Sequence, residues 1–67
     1  MKVDTTLYRY EMGVPQGRQP AAWSFLARRG AAWTTIAIPY PMKLAEAKRW
    51  ALAEARSFNA DFIELEP

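Results

Sequence analysis

PMKLAEAKRWALAEARSFN, residues Pro41–Asn59, is the stretch that decides the fold, because no other segment is both long and periodic. It holds five alanines, two leucines, two glutamates, two lysines and two arginines, with no Gly or Pro after Pro41. Those residues lose little freedom in a helix. At about 100° per residue Leu44, Ala47, Ala51, Ala55 and Phe58 share one stripe, flanked by Trp50 and Leu52. Ala45, Glu46, Arg49, Ala53 and Arg56 lie on the opposite side. Alanine in the middle of the stripe lets the helix come close to whatever it packs on. Pro39 and Pro41 suit a strand-to-helix corner. A capping box would need Ser or Thr three residues before Glu46, and Lys43 stands there instead. Asn59 can take the left-handed conformation that closes a helix. An amphipathic helix of this length needs a sheet or a partner to cover its apolar stripe.

Upstream of the helix lies a hairpin. Ala21–Arg28 and Ala31–Tyr40 read as strands around a turn at Arg29-Gly30, where glycine supplies a positive φ. An even-numbered loop puts Trp23, Phe25 and Ala27 on one face with Ala32, Thr34, Ile36 and Ile38, as the floor under the helix. The other face then carries Ser24, Leu26, Arg28, Trp33, Thr35 and Ala37. Downstream, Ala60–Glu66 reads as a last short strand, with Ile63 and Leu65 inward and Phe62, Glu64 and Glu66 outward. At the start of the chain, Lys2–Met12 alternates β-forming residues and is expected to be a strand, although neither of its faces is purely polar. Gly13–Pro20, GVPQGRQP, has no period and reads as a loop that is either a solvated connection or a contact surface through Gln16, Arg18 and Gln19. The expected architecture is α+β in the order β-β-β-α-β. A small antiparallel sheet of three or four strands carries one helix, from the C-terminal half, on one face.

Sixty-seven residues make a single domain, 1–67, near the lower limit for a self-sufficient core. A hydrophobic content of 51% and three Trp are enough to build one. The absence of Cys and His excludes a disulfide scaffold and the usual zinc sites, and with them the commonest general base and the thiol nucleophile. No apolar run approaches the roughly 20 residues that span a bilayer, and MKVDTTLYRY lacks the apolar centre of a signal peptide. A cytoplasmic chain without membrane attachment is expected. Residues 1–35 hold five Lys/Arg against two Asp/Glu, and residues 36–67 hold four against five, so the mild net charge of +2 sits in the first half.

Function is less legible. The carboxylates show no cooperating spacing. Gly13-x-x-x-Gly17 followed by Arg lacks the Lys-Ser/Thr of a phosphate loop. No catalytic residue, cofactor or metal site is expected, and the chain is read as a non-enzyme. Two binding classes remain. Arg9, Arg18, Arg28 and Arg29 with Tyr8, Tyr10 and Trp33 would make a basic, aromatic sheet surface for nucleic acid. Over Tyr8–Phe58 the order of three strands and a helix, with Glu46-Ala47 near the helix start, resembles the arm-binding domains of phage integrases and the plant AP2 domain. That resemblance implies DNA contacts from the sheet. The strands here lack the dense Arg/Lys that such domains aim at phosphates, and Asp61, Glu64 and Glu66 would repel them.

The other class is a protein-binding module, adaptor or inhibitor, of the small size common among phage and mobile-element accessory proteins that block a host protein. Leu26, Trp33 and Phe62 on the outer sheet face, with Arg28, match the aromatic-plus-Arg composition of interaction anchors. A protein partner is the leading expectation, with a homodimer or nucleic acid as alternatives. The partner-binding candidates are Trp33, Leu26, Arg28, Arg29, Arg18, Tyr8 and Tyr10.

Overall fold

A computed structural model describes residues 1–67. The helix read from Pro41–Asn59 is present as Leu44–Ser57, here α2, and the hairpin as β1, Ser24–Arg29, and β2, Ala32–Ala37. Phe62–Leu65 forms β3, and a short helix, α1, spans Thr6–Met12. The order is therefore α-β-β-α-β. The three strands form one antiparallel sheet, β2-β1-β3, with β1 in the centre. The α+β class, the sheet and the C-terminal-half helix all hold. The connection β2–α2–β3 steps over β1 and returns in the same direction, so the last strand closes the sheet on the far side of the hairpin.

The hairpin register follows the parity argument. Arg29 pairs with Ala32 across a Gly30-Ala31 turn, one residue later than the sequence placed it, and Phe25 pairs with Ile36. Gly30 takes φ +58°, while Ala31 has no positive φ, the pattern of a turn with glycine at its first central position. Trp23, Phe25, Ala27, Ile36, Ile63 and Leu65 line the sheet side of the core, and Met42, Leu44, Ala47, Ala51 and Ala55 close it from above. Ile38 and Phe58, also expected there, sit half-buried at its margin. Trp23 donates its indole N–H to the Met42 carbonyl at 2.9 Å, which satisfies the one polar atom of the buried ring.

Both ends of α2 are fixed by backbone. Lys43 makes no side-chain cap; instead the Gly17 carbonyl accepts the Leu44 N–H at 3.1 Å. That approach needs glycine, because a Cβ on Gly17 would lie 2.8 Å from the Leu44 Cβ. The Gly13–Pro20 loop is thus pinned in its middle to the helix start. At the other end Asn59 has φ +59°. The Ala60 N–H reaches the Ala55 carbonyl at 2.9 Å and the Asn59 N–H reaches Arg56 at 3.1 Å. This is the paired bonding of a Schellman closure.

Lys2–Met12 is not a strand. Only Asp4 joins the sheet, in a parallel bridge to Glu64, and the chain then turns into α1. The Asp4 carboxylate accepts the Thr6 N–H at 2.7 Å and Arg9 reaches back to Thr5 Oγ1 at 3.0 Å, both local bonds that a strand would not allow. Gly13, at φ +82°, ends the helix. With no polar face to specify register, alternation alone was weak evidence for a strand, and local bonding won. The correction also removes the integrase-arm and AP2 likeness, which required three consecutive strands before the helix. Here one of the three strands follows it.

Candidate functional site

The sheet has one helix-covered face and one open face, and the open face is built from β1 outward. Arg28, on the central strand, pairs with Trp33 of β2 on one side and Phe62 of β3 on the other. Edge strands flanking a third lie about 9.6 Å apart, twice the interstrand spacing. The Trp33 and Phe62 rings lean together over Arg28, their centroids 6.1 Å apart and nearly perpendicular at 86°. The Arg28 guanidinium carbon lies 5.6 Å from the Trp33 centroid and 5.1 Å from that of Phe62, within cation–π range of both. Leu26, two residues along β1, is half-buried between Thr35 and Glu64.

Asp61 fixes this cluster. Its carboxylate accepts the Gly30 N–H at 2.9 Å and Arg28 Nε at 3.1 Å, and its own N–H reaches the Arg28 carbonyl at 2.8 Å. The residue just before β3 therefore holds both the hairpin turn and the arginine. The Gly30 N–H, and secondarily Arg28, hold the Asp61 carboxyl below its ordinary value. The same face also carries Glu64, and Glu66, whose carboxylate accepts the Ser24 hydroxyl at 2.9 Å.

Of the seven candidate contact residues, this surface unites Leu26, Arg28 and Trp33, the last with 49% of its surface exposed. Arg29 sits exposed beside the turn, on the side of Phe25 and Ala27 by register. The other three lie elsewhere. Tyr8 packs its ring against Trp23, centroids 6.1 Å apart, at the opposite end of β1. Tyr10 points to solvent from α1, 87% exposed. Arg18 is exposed in the loop that meets the start of α2. A basic surface with interleaved tyrosines is therefore not assembled. Phe62 belongs to the cluster as fully as Trp33, and its outward parity was readable. Asp61 was not, because its partners lie about thirty residues back and no local pattern marks it.

A groove of about 460 Å³ runs under α1, lined among others by Tyr8, Met12, Gln19, Trp23 and Glu66. It lies at the far end of the sheet from the Arg28 cluster. Its titratable lining is Tyr8 and Glu66, the latter already bonded to Ser24. No three carboxylates gather as a metal site, and no helix is long and apolar enough to cross a membrane. No family model matches the chain, and no curated protein or solved structure is significantly similar to it.

Proposed function

We propose that the chain is a non-enzymatic protein-binding module, an adaptor or inhibitor, that meets its partner through the open face of the sheet. The observation that carries this reading is the Trp33–Phe62 pair closed over Arg28 beside Leu26. It is an apolar surface with one ordered cation, on the face that no helix covers. Aromatic rings and arginine held in place by neighbours supply binding energy at low entropic cost. The acidic residues around the patch favour protein over nucleic acid. Asp61, Glu64 and Glu66 share this face and would oppose a phosphate backbone.

Capture of partners from lysate, with and without nuclease, by wild type and by Trp33→Ala tests the reading. The bound protein should survive nuclease and be lost with Trp33→Ala, while Trp33→Tyr, which keeps a ring, retains part of it. Half-burial of Trp33 makes the Ala variant cost up to about 2 kcal/mol, so circular dichroism must show it folded at the assay temperature. Capture that vanishes on nuclease treatment, or that a folded Trp33→Ala variant leaves intact, overturns the proposal.

A further inference from the structure

The two edges of the sheet are not equivalent. On β3 the backbone of Asp4 already occupies the edge: its N–H goes to the Ile63 carbonyl at 2.9 Å and its carbonyl takes the Leu65 N–H at 2.9 Å. The β2 edge has no such cover. From Ala31 to Ile38 the sequence is AAWTTIAI, with no charge and no proline, so it lacks the devices that keep an edge strand from pairing. On its helix-facing side Ala32 and Thr34 are small and exposed.

Which backbone groups are free follows from alternation in an antiparallel ladder. The Glu66 N–H bonds to the Ser24 carbonyl, so Ser24, Leu26 and Arg28 direct their backbone groups to β3. Phe25, Ala27 and Arg29 then serve β2, pairing with Ile36, Thr34 and Ala32. The N–H and carbonyl groups of Trp33, Thr35 and Ala37 are left pointing outward.

We propose that the occupant of this edge is a second copy of the chain, with β2 pairing antiparallel to β2 about a twofold axis through Thr35. Two conditions select this register. Both sheets must present the same face, which requires paired residue numbers to add to an even sum. All the free groups must also be used. Centring on Thr35 meets both: Thr35 faces Thr35 of the other copy, and Trp33 faces Ala37 in each direction, a large side chain beside a small one. Centring on Thr34 would leave Ala37 unpaired. The product is one continuous six-stranded sheet whose open face carries two Trp33–Phe62 clusters. It stops at two copies, because the β3 edge is closed by Asp4. This inference does not rest on the proposed partner-binding role, and either can fail alone.

Sedimentation equilibrium over micromolar to millimolar concentration should show a species of twice 7.7 kDa. Thr35→Lys and Thr35→Glu each put like charges face to face on the axis and should each remain monomeric. Mixing the two in equal amounts should restore the dimer, now with opposite charges paired. In wild type the amide hydrogens of Trp33, Thr35 and Ala37 should exchange more slowly as concentration rises, a reading that needs no variant. A wild type that stays at the monomer mass throughout overturns the proposal. So does a dimer indifferent to Thr35→Lys, folded single variants that do not associate on mixing, or assembly beyond two copies.

Discussion

Replacing Ala51 by leucine probes the contact that joins the two layers. Ala47, Ala51 and Ala55 are all fully buried, and they form the middle of the face that α2 turns to the sheet. Leucine adds three carbons at a site with no cavity to receive them, since the one groove in the molecule lies under α1 and Ala51 does not line it. The helix must lift from the sheet or neighbouring side chains must leave their rotamers, at about 1–3 kcal/mol. A domain of this size holds only about 3–5 kcal/mol in total from a single core. At about 4–8 °C per kcal/mol for domains of 60–100 residues, the midpoint should fall by roughly 5–25 °C.

Thermal melting followed by circular dichroism, with urea titration alongside, measures this. Ala53→Leu, on the exposed side of the same helix, is the control and should stay within about 0.5 kcal/mol of wild type. The urea midpoint of Ala51→Leu should move without a change in slope, because the surface exposed on unfolding is nearly the same. An unchanged or raised melting temperature would refute the reasoning, and with it the close helix-on-sheet approach that the alanines permit.

Gly17→Ala should destabilise by about 1–3 kcal/mol in the same assays, because the added Cβ meets the Leu44 Cβ at 2.8 Å where the loop is bonded to the helix start; a neutral effect would show that the loop is not held there. In the folded chain Asp4 and Asp61 both have carboxyls held below 3.8, Asp4 by its hydrogen bonds to Thr6 and Asp61 chiefly by the Gly30 N–H. Their stabilisation is therefore fully present above the unfolded value and is lost as pH falls through the folded one. The urea midpoint should drop on acidification below about pH 4, and Asp61→Ala should lower it at neutral pH while flattening that drop; an unaltered pH profile in the variant would count against the Asp61 clamp.

The helix, the hairpin and the inner face of β1 were legible because each has a period that one packing environment enforces, whereas Ala32 and Thr34 of β2, expected in the same floor, are exposed. Leu44, Ala47, Ala51 and Ala55 recur at helical spacing, and Trp23, Phe25 and Ala27 at strand spacing. Each set is selected by burial against the other. Thr6–Met12 lacked that constraint. None of its residues is buried and only Tyr8 packs against the core, so no periodic face constrains it, and bonds between neighbours chose the helix. The candidate site divides along the same line. Leu26 and Trp33 could be placed on the open face by parity within a two-residue turn. Tyr8 and Tyr10 were assigned there only through a strand that does not form.

The Arg28 cluster shows why a sheet face can carry information that its strands do not hold separately. Arg28, Trp33 and Phe62 meet because β3 arrives beside β1 from the other side of α2, which brings residues 33 and 62 to either side of residue 28. An arginine on a solvent-facing strand ordinarily samples many rotamers, and ordering its side chain costs up to about 2 kcal/mol of entropy. Here Asp61 holds Nε from one end, while two rings lie within cation–π distance of the guanidinium carbon. The crossover that builds the sheet therefore also orders the cation at the centre of its open face before any partner arrives. Asp61 belongs to the turn between α2 and β3, so the Schellman closure at Asn59 directs the chain toward the residue that holds the patch. The fold and the proposed contact surface thus share one structural element, and a substitution that loosens the end of α2 should disturb both.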